Sequence, residues 1–391
     1  MTNLVQNFYI YAPTKMGLEL GTILQVILPL YGMPKAGTHW YKTYYDYYLN
    51  NLQMTSSTFD PCLLFNKHAT AIIGMQTDDT LISATDEFMI KEEEELQKAK
   101  FIAKPHEKLT IDHPLGFNGF IITRSDNKIN IAQPEQTKKI NLLLTDTFTK
   151  NQYVAERARG AYIATVSQPQ AAFALSFAAQ TTQPTTNDAK FLNKYLDQQR
   201  NNNGLTFVKL DLQTLRVIAF TDSSFANNRD HSSQIGYVIV LADADNNANI
   251  VHWQSIKCRR VTRSVLASEL YALSLGFDTA ATIKSTLNQI LACPRQGSIP
   301  LTICIDSKSL YECLVKLGTT QEKRLMVDLM CLRQSYERRE ISEILWIQGD
   351  KNPADAMTKE KPCNALRKLM DTNKLELDID GWVEREGEGY N

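Results

Sequence analysis

The sequence lacks several features that would assign it to a particular class of protein. Its 42 basic and 43 acidic side chains nearly cancel over 391 residues, so no overall charge attracts the chain to a nucleic acid. Its seven cysteines are scattered and show neither CxxC nor Cys/His ligand spacing, which excludes a disulfide framework and a structural zinc site. The N-terminus lacks the basic and apolar regions of a signal peptide, and no apolar run is long enough to span a membrane. We therefore expect an intracellular protein of the cytoplasm, the nucleus or both.

The most informative stretch is an apolar strand that ends in a carboxylate. Residues 217–222 are rich in branched and aromatic side chains, and Asp222 closes the run before two serines. Residues 301–305 predict a similar strand, which leads directly into Asp306. If the two strands are neighbours in one sheet, both carboxylates lie on the same rim, where a metal ion or a substrate can reach them. Taken singly, each acid is also consistent with an ordinary polar residue at a strand end.

Two further acids lie on predicted helices. Glu269 is one turn into a long helix, and its neighbours at helical spacing are Val265, Ala272 and Gly276. These residues are small or apolar, so we expect Glu269 to face the sheet, where an unpaired acid is costly to bury. Asp355 begins the last helix, a position at which the helix N-terminus also favours an acid that has no other role.

A common site for these acids has a chemical reason. Carboxylates gathered together repel one another and raise their pKa values unless a cation lies among them. Hard divalent cations prefer such oxygen ligands, and two ions about 3.5–4 Å apart can activate a water and stabilise the leaving oxygen in phosphodiester cleavage. The sequence therefore predicts two Mg²⁺ or Mn²⁺ ions at four acids, namely Asp222, Glu269, Asp306 and Asp355.

A short basic segment precedes the Glu269 helix. Residues 257–263 hold four basic side chains and no acid, namely Lys257, Arg259, Arg260 and Arg263. A solvated basic loop is one interpretation. Beside a metal site, contact with the phosphates of a nucleic acid is the other.

The last third of the chain predicts a mixed α/β arrangement. Three strands form an antiparallel meander, and a helix, a strand, two helices, a strand and a final helix follow. This order implies a mixed sheet that is covered by helices.

The first half of the chain is less regular. An aromatic helix over 38–52 is expected to pack in the core with its tyrosine hydroxyls in water, and direct stacking on a nucleic acid is the other interpretation. It precedes a hairpin with Asp78 and Asp79 at its tip, although two adjacent acids are also a common turn pair. An exposed helix follows over 86–100, and its run of four acids at 92–95 is expected to face solvent. Further helices are predicted over 137–144 and 155–179. The polar loop at 198–204 is the preferred domain boundary.

The order of strand–Asp, helix–Glu, strand–Asp and helix-start–Asp resembles the ribonuclease H family. The flanking segments are more specific and look like the ribonuclease H domain of copia-type LTR retrotransposon Pol polyproteins. These segments are Thr221-Asp222-Ser223-Ser224-Phe225-Ala226, Ser232-Ser233-Gln234-Ile235-Gly236-Tyr237, Trp253-Gln254-Ser255-Ile256-Lys257, Ala267-Ser268-Glu269-Leu270-Tyr271-Ala272, Ile305-Asp306-Ser307 and Pro353-Ala354-Asp355-Ala356-Met357-Thr358-Lys359.

The N-terminal half resembles the reverse transcriptase of the same polyproteins. The segments that carry this likeness are Leu30-Tyr31-Gly32-Met33-Pro34-Lys35-Ala36-Gly37 with Trp40, Asp60-Pro61-Cys62-Leu63 and Gln76-Thr77-Asp78-Asp79. The family's polymerase needs a third Asp upstream of the first segment, whereas the first Asp of this chain is Asp46. We interpret Asp78 and Asp79 as the remnant of a polymerase site and expect no polymerisation by this chain alone.

The resemblance implies a fold and a division into domains. We expect an α+β or mixed α/β protein, in which a partial reverse-transcriptase palm and thumb precede a connection and a ribonuclease H-like mixed sheet flanked by helices. The expected ranges are 1–150 for a truncated palm and thumb, 151–210 for the connection, 211–362 for the ribonuclease H-like domain and 363–391 for a C-terminal tail.

The same resemblance implies an activity and its partners. We expect a ribonuclease that cleaves the RNA of RNA–DNA hybrids with two Mg²⁺ or Mn²⁺ ions, leaves a 5′-phosphate and a 3′-hydroxyl, and associates with other retrotransposon Pol products. One alternative is an RNA-directed DNA polymerase whose missing upstream residues come from elsewhere. The other is an inert remnant that only binds nucleic acid.

Overall fold

The computed structural model describes residues 8–381 except 28, 29, 31, 34, 35, 78, 102, 103, 293–296, 316–319 and 321. Packing separates the chain into two compact units, residues 1–106 with 289–294 and residues 107–288 with 295–391. The division expected from the resemblance, at 150, 210 and 362, stays a prediction. None of the helices in the described ranges has the length and apolar character that a membrane crossing needs.

In its described residues, the first unit combines two antiparallel sheets with two α-helices. A two-stranded sheet pairs β1 with β2, and a four-stranded sheet has the order β3-β4-β5-β6. The elements are β1 (Phe8–Tyr11), β2 (Ile23–Val26), α1 (Ala36–Asn51), β3 (Thr55–Ser56), β4 (Leu63–Phe65), β5 (Ala71–Gln76), β6 (Asp79–Ala84) and α2 (Asp86–Lys98).

The aromatic helix α1 supplies much of the core of this unit. Tyr48 is fully buried and packs with Leu64 and Ile73 of the sheet. Tyrosines can enter a core when their hydroxyls find partners, and here the hydroxyls of Tyr44 and Tyr48 lie 2.9 Å apart. The predicted packing role of this helix is confirmed.

The acidic run of α2 does not lie wholly in solvent, so that part of the sequence prediction is wrong. Glu92 is buried and accepts a hydrogen bond from the Tyr48 hydroxyl. The Nε2 atom of His106 lies 3.0 Å from the other carboxylate oxygen of Glu92. Periodicity did not reveal this burial because the partners come from α1 and from the segment after α2.

The second unit begins with a four-stranded antiparallel sheet, in the order β10-β9-β8-β7, and a group of helices. Its elements up to residue 208 are β7 (Leu115–Phe117), β8 (Phe120–Ser125), β9 (Lys128–Ala132), α3 (Pro134–Thr137), α4 (Lys150–Val166), α5 (Ala172–Ala178), α6 (Thr186–Arg200) and β10 (Leu205–Val208).

Three expectations about this region need correction. The helix predicted over 137–144 is absent from the structure, since α3 ends at Thr137. The helix predicted over 155–179 is interrupted, because Pro169 cannot continue a helix ladder and begins a short 3₁₀ turn between α4 and α5. The segment 198–204 was expected to be a loop throughout, but α6 continues to Arg200. The rest of the segment leads into β10, which pairs with β9.

The rest of the second unit is a six-stranded mixed sheet with helices. The strand order is β13-β12-β11-β14-β15-β16. The elements are β11 (Arg216–Ser224), β12 (Gln234–Ala242), β13 (Ala248–Lys257), α7 (Val265–Ile290), β14 (Leu301–Ile305), α8 (Lys308–Val315), α9 (Leu325–Glu337), β15 (Glu343–Ile347), α10 (Ala365–Thr372) and β16 (Ile379–Gly381).

Both faces of this sheet are covered, as expected of a mixed sheet with helical connections. Ile218 and Phe220 of β11 lie in one core cluster with Leu366 and Leu369 of α10. The segment after 362, expected as a tail, therefore contributes to this core. Ala272 of α7 packs in a separate cluster with Ile235 of β12. The predicted meander is confirmed, since β11, β12 and β13 pair antiparallel in sequence order.

Candidate active site

Two of the predicted acids lie at the same edge of the six-stranded sheet. Strands β11 and β14 are parallel neighbours, with Phe220 paired to Cys304. Asp222 and Asp306 each follow two residues later, so the parallel direction of the strands brings both carboxylates to one rim. The neighbouring strands that the sequence analysis required are therefore present.

Helix α7 brings Glu269 to the same rim. A Cβ atom on Gly276 would lie 2.6 Å from Cγ2 of Thr221 and 3.2 Å from Cβ of Tyr237, so only a glycine lets the helix approach the sheet this closely. Glu269 is 5% exposed, which confirms that it faces inward. Val265, expected on the same face, is 54% exposed and lies outside this contact.

Three carboxylates meet at this point. One oxygen atom from each of Asp222, Glu269 and Asp306 lies within 4.8 Å of the others. Oε2 of Glu269 is buried and has no hydrogen-bond partner among the residues that the structure describes. A buried oxygen without a partner is costly, so a cation at the centre of this group would satisfy it.

The raised pKa values of these three acids also favour a bound cation. Burial, and then the charge of Asp306, raise the pKa of Asp222 to about 7. Burial, followed by the charges of Asp222 and Asp306, raises the pKa of Glu269 well above its ordinary value. Burial also raises the pKa of Asp306. Three oxygen donors that resist ionisation together fit a hard divalent cation, which would favour their charged forms.

Asp355, the fourth predicted acid, is not part of this group. It lies in a 3₁₀ helix, Pro353–Met357, rather than at the start of the last α-helix as expected. Its Oδ1 pairs with the Lys359 ammonium, and its Oδ2 accepts a hydrogen bond of 2.7 Å from the backbone N–H of Cys363. The structure thus brings three of the four acids together and leaves Asp355 beside them with other partners.

Thr358 and Lys359 both contact Asp222 directly, although neither was predicted from the sequence to act at this site. The buried hydroxyl of Thr358 donates a hydrogen bond to Oδ2 of Asp222. Nζ of Lys359 lies 3.6 Å from Oδ1 of Asp222. Burial lowers the pKa of Lys359, but the nearby charges of Asp222 and Asp355 outweigh it and the net pKa is raised. The signal for both residues was the Thr358-Lys359 end of the segment that carries the family resemblance.

The 3₁₀ helix is tied to the sheet by a buried asparagine. Asn352 accepts a hydrogen bond of 3.0 Å from the Ala354 N–H and donates one of 3.0 Å to the carbonyl oxygen of Thr221. Thr221 directly precedes Asp222, so this contact fixes the segment that carries Asp355 against the strand that carries Asp222. Nothing in the sequence singled out Asn352, because an Asn before Pro is an ordinary turn residue.

The basic segment divides into paired and unpaired side chains. Lys257 forms an ion pair with Asp230. Nη1 of Arg260 lies 3.4 Å from Oδ2 of Asp328. The central carbon of the Arg260 guanidinium is 4.8 Å from the ring centre of Tyr271. Arg259 and Arg263 are exposed and form no ion pair with any carboxylate of the described residues. These two arginine side chains are therefore available to contact a phosphate.

The two acids interpreted from the sequence as the remnant of a polymerase site, Asp78 and Asp79, are only partly described. Asp79 is the first residue of β6, is exposed, and lies opposite Gln76 across the hairpin. Asp78 lies outside the described residues. The predicted hairpin itself is present, with β5 and β6 paired antiparallel.

The fold and the site together define a mixed α+β protein with a buried carboxylate cluster, at a sheet edge, that suits a divalent cation. No protein-family model matches the chain, and no curated protein matches it in sequence. The chain is similar in structure to ribonuclease H1 from the halophilic archaeon Halobacterium salinarum NRC-1, at 20% identity and a TM-score of 0.28 over 39% of this chain and 98% of the other.

Two further solved structures are similar to the chain. LC11-RNase H1, in complex with an RNA/DNA hybrid, matches at 17% identity and a TM-score of 0.28, over 39% of this chain and 99% of the other. The foamy viral protease-reverse transcriptase, also in complex with an RNA/DNA hybrid, matches at 12% identity and a TM-score of 0.48, over 80% of this chain and 38% of the other. At these identities the comparison concerns the fold alone.

Proposed function

We propose that this protein is a ribonuclease that hydrolyses the RNA strand of RNA–DNA hybrids, derived from a copia-type retrotransposon Pol polyprotein. The observation that carries the proposal is the convergence of Asp222, Glu269 and Asp306, together with a buried oxygen of Glu269 that finds no hydrogen-bond partner in the described part of the chain. A structural role alone does not account for two buried acids and a third, partly buried one whose charges oppose one another. The sequence segments around these acids, which resemble the copia-type ribonuclease H domain, supply the choice of reaction.

The three acids are the residues that would hold a divalent cation. When bound, such cations activate a water and stabilise the leaving oxygen of a phosphodiester. Thr358 contributes by holding Oδ2 of Asp222, which fixes the orientation of this carboxylate. Asn352 contributes by fixing the following segment against β11.

Substrate binding would use the exposed cations close to the start of α7. Arg259 and Arg263 are free to contact backbone phosphates, which position a duplex without reading its sequence. Discrimination of a hybrid from duplex DNA would depend on its A-like shape and on the 2′-hydroxyls of the RNA strand.

The test is cleavage by the purified full-length chain. End-labelled RNA annealed to DNA should be cut only when Mg²⁺ or Mn²⁺ is added, with 5′-phosphate and 3′-hydroxyl ends, whereas duplex DNA and single-stranded RNA stay intact. Asp222→Asn and Glu269→Gln should abolish cleavage. Asp245→Asn, at an exposed acid of the same unit, is the matched control and should cleave like the wild type. If Asp222→Asn retains wild-type activity, the assignment of this site is wrong.

A second candidate function is hybrid binding without turnover. The engagement of Asp355 by Lys359 and by the Cys363 backbone favours it, because the fourth acid is then unable to act as a ligand. Salt-dependent binding of the hybrid, together with no cleavage at any concentration of Mg²⁺ or Mn²⁺, would support this alternative.

A further inference from the structure

The ammonium group of Lys359 lies between two of the acids that the resemblance assigns to metal ions. It pairs with Oδ1 of Asp355 and is 3.6 Å from Oδ1 of Asp222. Lys359 follows Asp355 by four residues, so both side chains project from the same short segment. The lysine side chain is 41% exposed, and its ammonium group lies against the buried carboxylates of Asp222 and Asp355.

Between Asp222 and Asp355, most carboxylate oxygens already accept a hydrogen bond, which disfavours a divalent cation there. Both oxygens of Asp355 are engaged, Oδ1 by Lys359 and Oδ2 by the Cys363 N–H. On Asp222, Oδ2 accepts the Thr358 hydroxyl. A divalent ion shared by Asp222 and Asp355 would therefore have to displace the ammonium group and would otherwise be repelled by it.

The other side of the site is arranged in the opposite way. Asp222, Glu269 and Asp306 each offer an oxygen to a common point, and Oε2 of Glu269 has no hydrogen-bond partner within the described residues. Among the side chains that the structure describes, Lys359 is the only base with an ion pair to any of these three acids. This side is short of positive charge, whereas the Asp355 side is already neutralised.

We propose that Lys359 serves as the second cation of this site: the chain binds one divalent ion, at Asp222, Glu269 and Asp306, and the lysine ammonium takes the place between Asp222 and Asp355. Asp355 is then a positioning residue that holds Lys359 rather than a metal ligand. The inference rests on the proposed function only in taking the three acids as the ligands of a divalent cation.

The number of bound ions tests the proposal without any substrate. The full chain is titrated with Mn²⁺ in a calorimeter, and free Mn²⁺ is followed in parallel by its electron paramagnetic resonance signal. The wild type should bind one equivalent that Asp222→Asn removes. Lys359→Met keeps the length of the side chain without its charge and should bind two equivalents. Lys361→Met, at an exposed lysine two residues away, is the matched control and should bind one.

A second variant protects the test against a folding defect in Lys359→Met. Asp355→Asn keeps the shape of the side chain and should bind one equivalent with an affinity within about threefold of the wild type. Loss of a true ligand should weaken binding by at least about tenfold, because even the loss of a residue hydrogen-bonded to a ligand costs 10–100-fold. The Asp355 side chain bonds instead to Lys359 and to the Cys363 backbone, so a smaller effect is expected there. Two equivalents in the wild type, one in a folded Lys359→Met variant, or a tenfold loss in Asp355→Asn would each overturn the proposal.

The outcome is separable from that of the cleavage assay. One equivalent in the wild type and two in Lys359→Met, with no hybrid cleavage, would refute the proposed function and leave the assignment of Lys359 intact. If the wild type cleaves the hybrid and binds two equivalents of Mn²⁺, the proposed function stands and the assignment of Lys359 as the second cation is refuted.

Discussion

Gly236 offers a direct test of how the candidate site is assembled. It lies on β12 directly opposite Asp222 in the antiparallel ladder. A Cβ atom at this position would lie 2.2 Å from Cβ of Met357 and 3.0 Å from the carbonyl oxygen of Gln254. Cβ of Met357 is rigidly attached to the backbone of the 3₁₀ helix, so Gly236→Ala must displace the helix that carries Asp355.

The size of the effect follows from the packing. Met357 is fully buried, and forcing an extra carbon into a close-packed core costs about 1–3 kcal/mol. Replacing Gly by Ala also restricts the unfolded chain, which returns about 0.4–1 kcal/mol. We therefore expect a net loss of roughly 1–2 kcal/mol in the free energy of unfolding of the second unit, about 5- to 30-fold in its unfolding equilibrium.

The assay is urea denaturation followed by far-ultraviolet circular dichroism. Gly116→Ala on β7 is the matched control, because a Cβ atom there would meet nothing within 4 Å. The control should be unchanged or slightly more stable. Gly236→Ala should also bind Mn²⁺ more weakly, because Thr358 moves together with Met357. If the two variants differ by less than about 0.5 kcal/mol in stability, a size typical of surface substitutions, the close approach of the 3₁₀ helix to β12 is refuted.

Three further perturbations test other parts of the molecule. Between an ordinary pKa near 4 and its folded pKa of about 7, Asp222 keeps a proton in the folded chain that the unfolded chain has lost. The metal-free protein should therefore lose stability, on the order of a few kcal/mol, as the pH rises from about 4 to about 7, measured by urea denaturation across that range. Tyr48→Phe removes the hydroxyl that donates to buried Glu92 and should lower the free energy of unfolding of the first unit by about 1–3 kcal/mol. Replacing Arg259 and Arg263 together by Gln should weaken hybrid binding and reduce the slope of log affinity against log salt by about 2, measured by fluorescence anisotropy.

Each of these predictions has its own control. Asp222→Asn should reduce the pH dependence and Asp245→Asn should not, and the part that remains in Asp222→Asn is expected from the raised pKa values of Glu269 and Asp306. An unchanged slope in Asp222→Asn would show that Asp222 is not among the groups responsible. Tyr11→Phe, at a tyrosine that is 75% exposed, should leave stability unchanged, and an equal loss in both tyrosine variants would contradict the role of Glu92. Replacing Lys257 and Arg260, which already have carboxylate partners, should change the salt slope less than replacing the unpaired pair; the reverse order would be inconsistent with the proposed phosphate contacts.

The sequence predicted the sheet of the candidate site well because its strands are long, apolar and separated by clear turns. The strand over 217–222 and the strand over 301–305 are both present, and they are parallel neighbours as the shared rim required. The inward direction of Glu269 followed from helical periodicity, which reports the buried face of a helix. Periodicity failed at Glu92, because a buried acid in a polar helix is decided by its partners from other elements.

The sequence by itself determined which residues could act at the rim. Asp222 lies near the end of its strand, Asp306 directly follows one, and Glu269 lies on the inner face of its helix, so the local pattern places each of them. Only the tertiary structure decided that three acids converge while Asp355 pairs with Lys359 and the Cys363 backbone. The physical reason is that an ion pair or a hydrogen bond forms or fails within a few tenths of an ångström, and such distances depend on how a 3₁₀ helix packs against a sheet rather than on the pattern of residues along the chain.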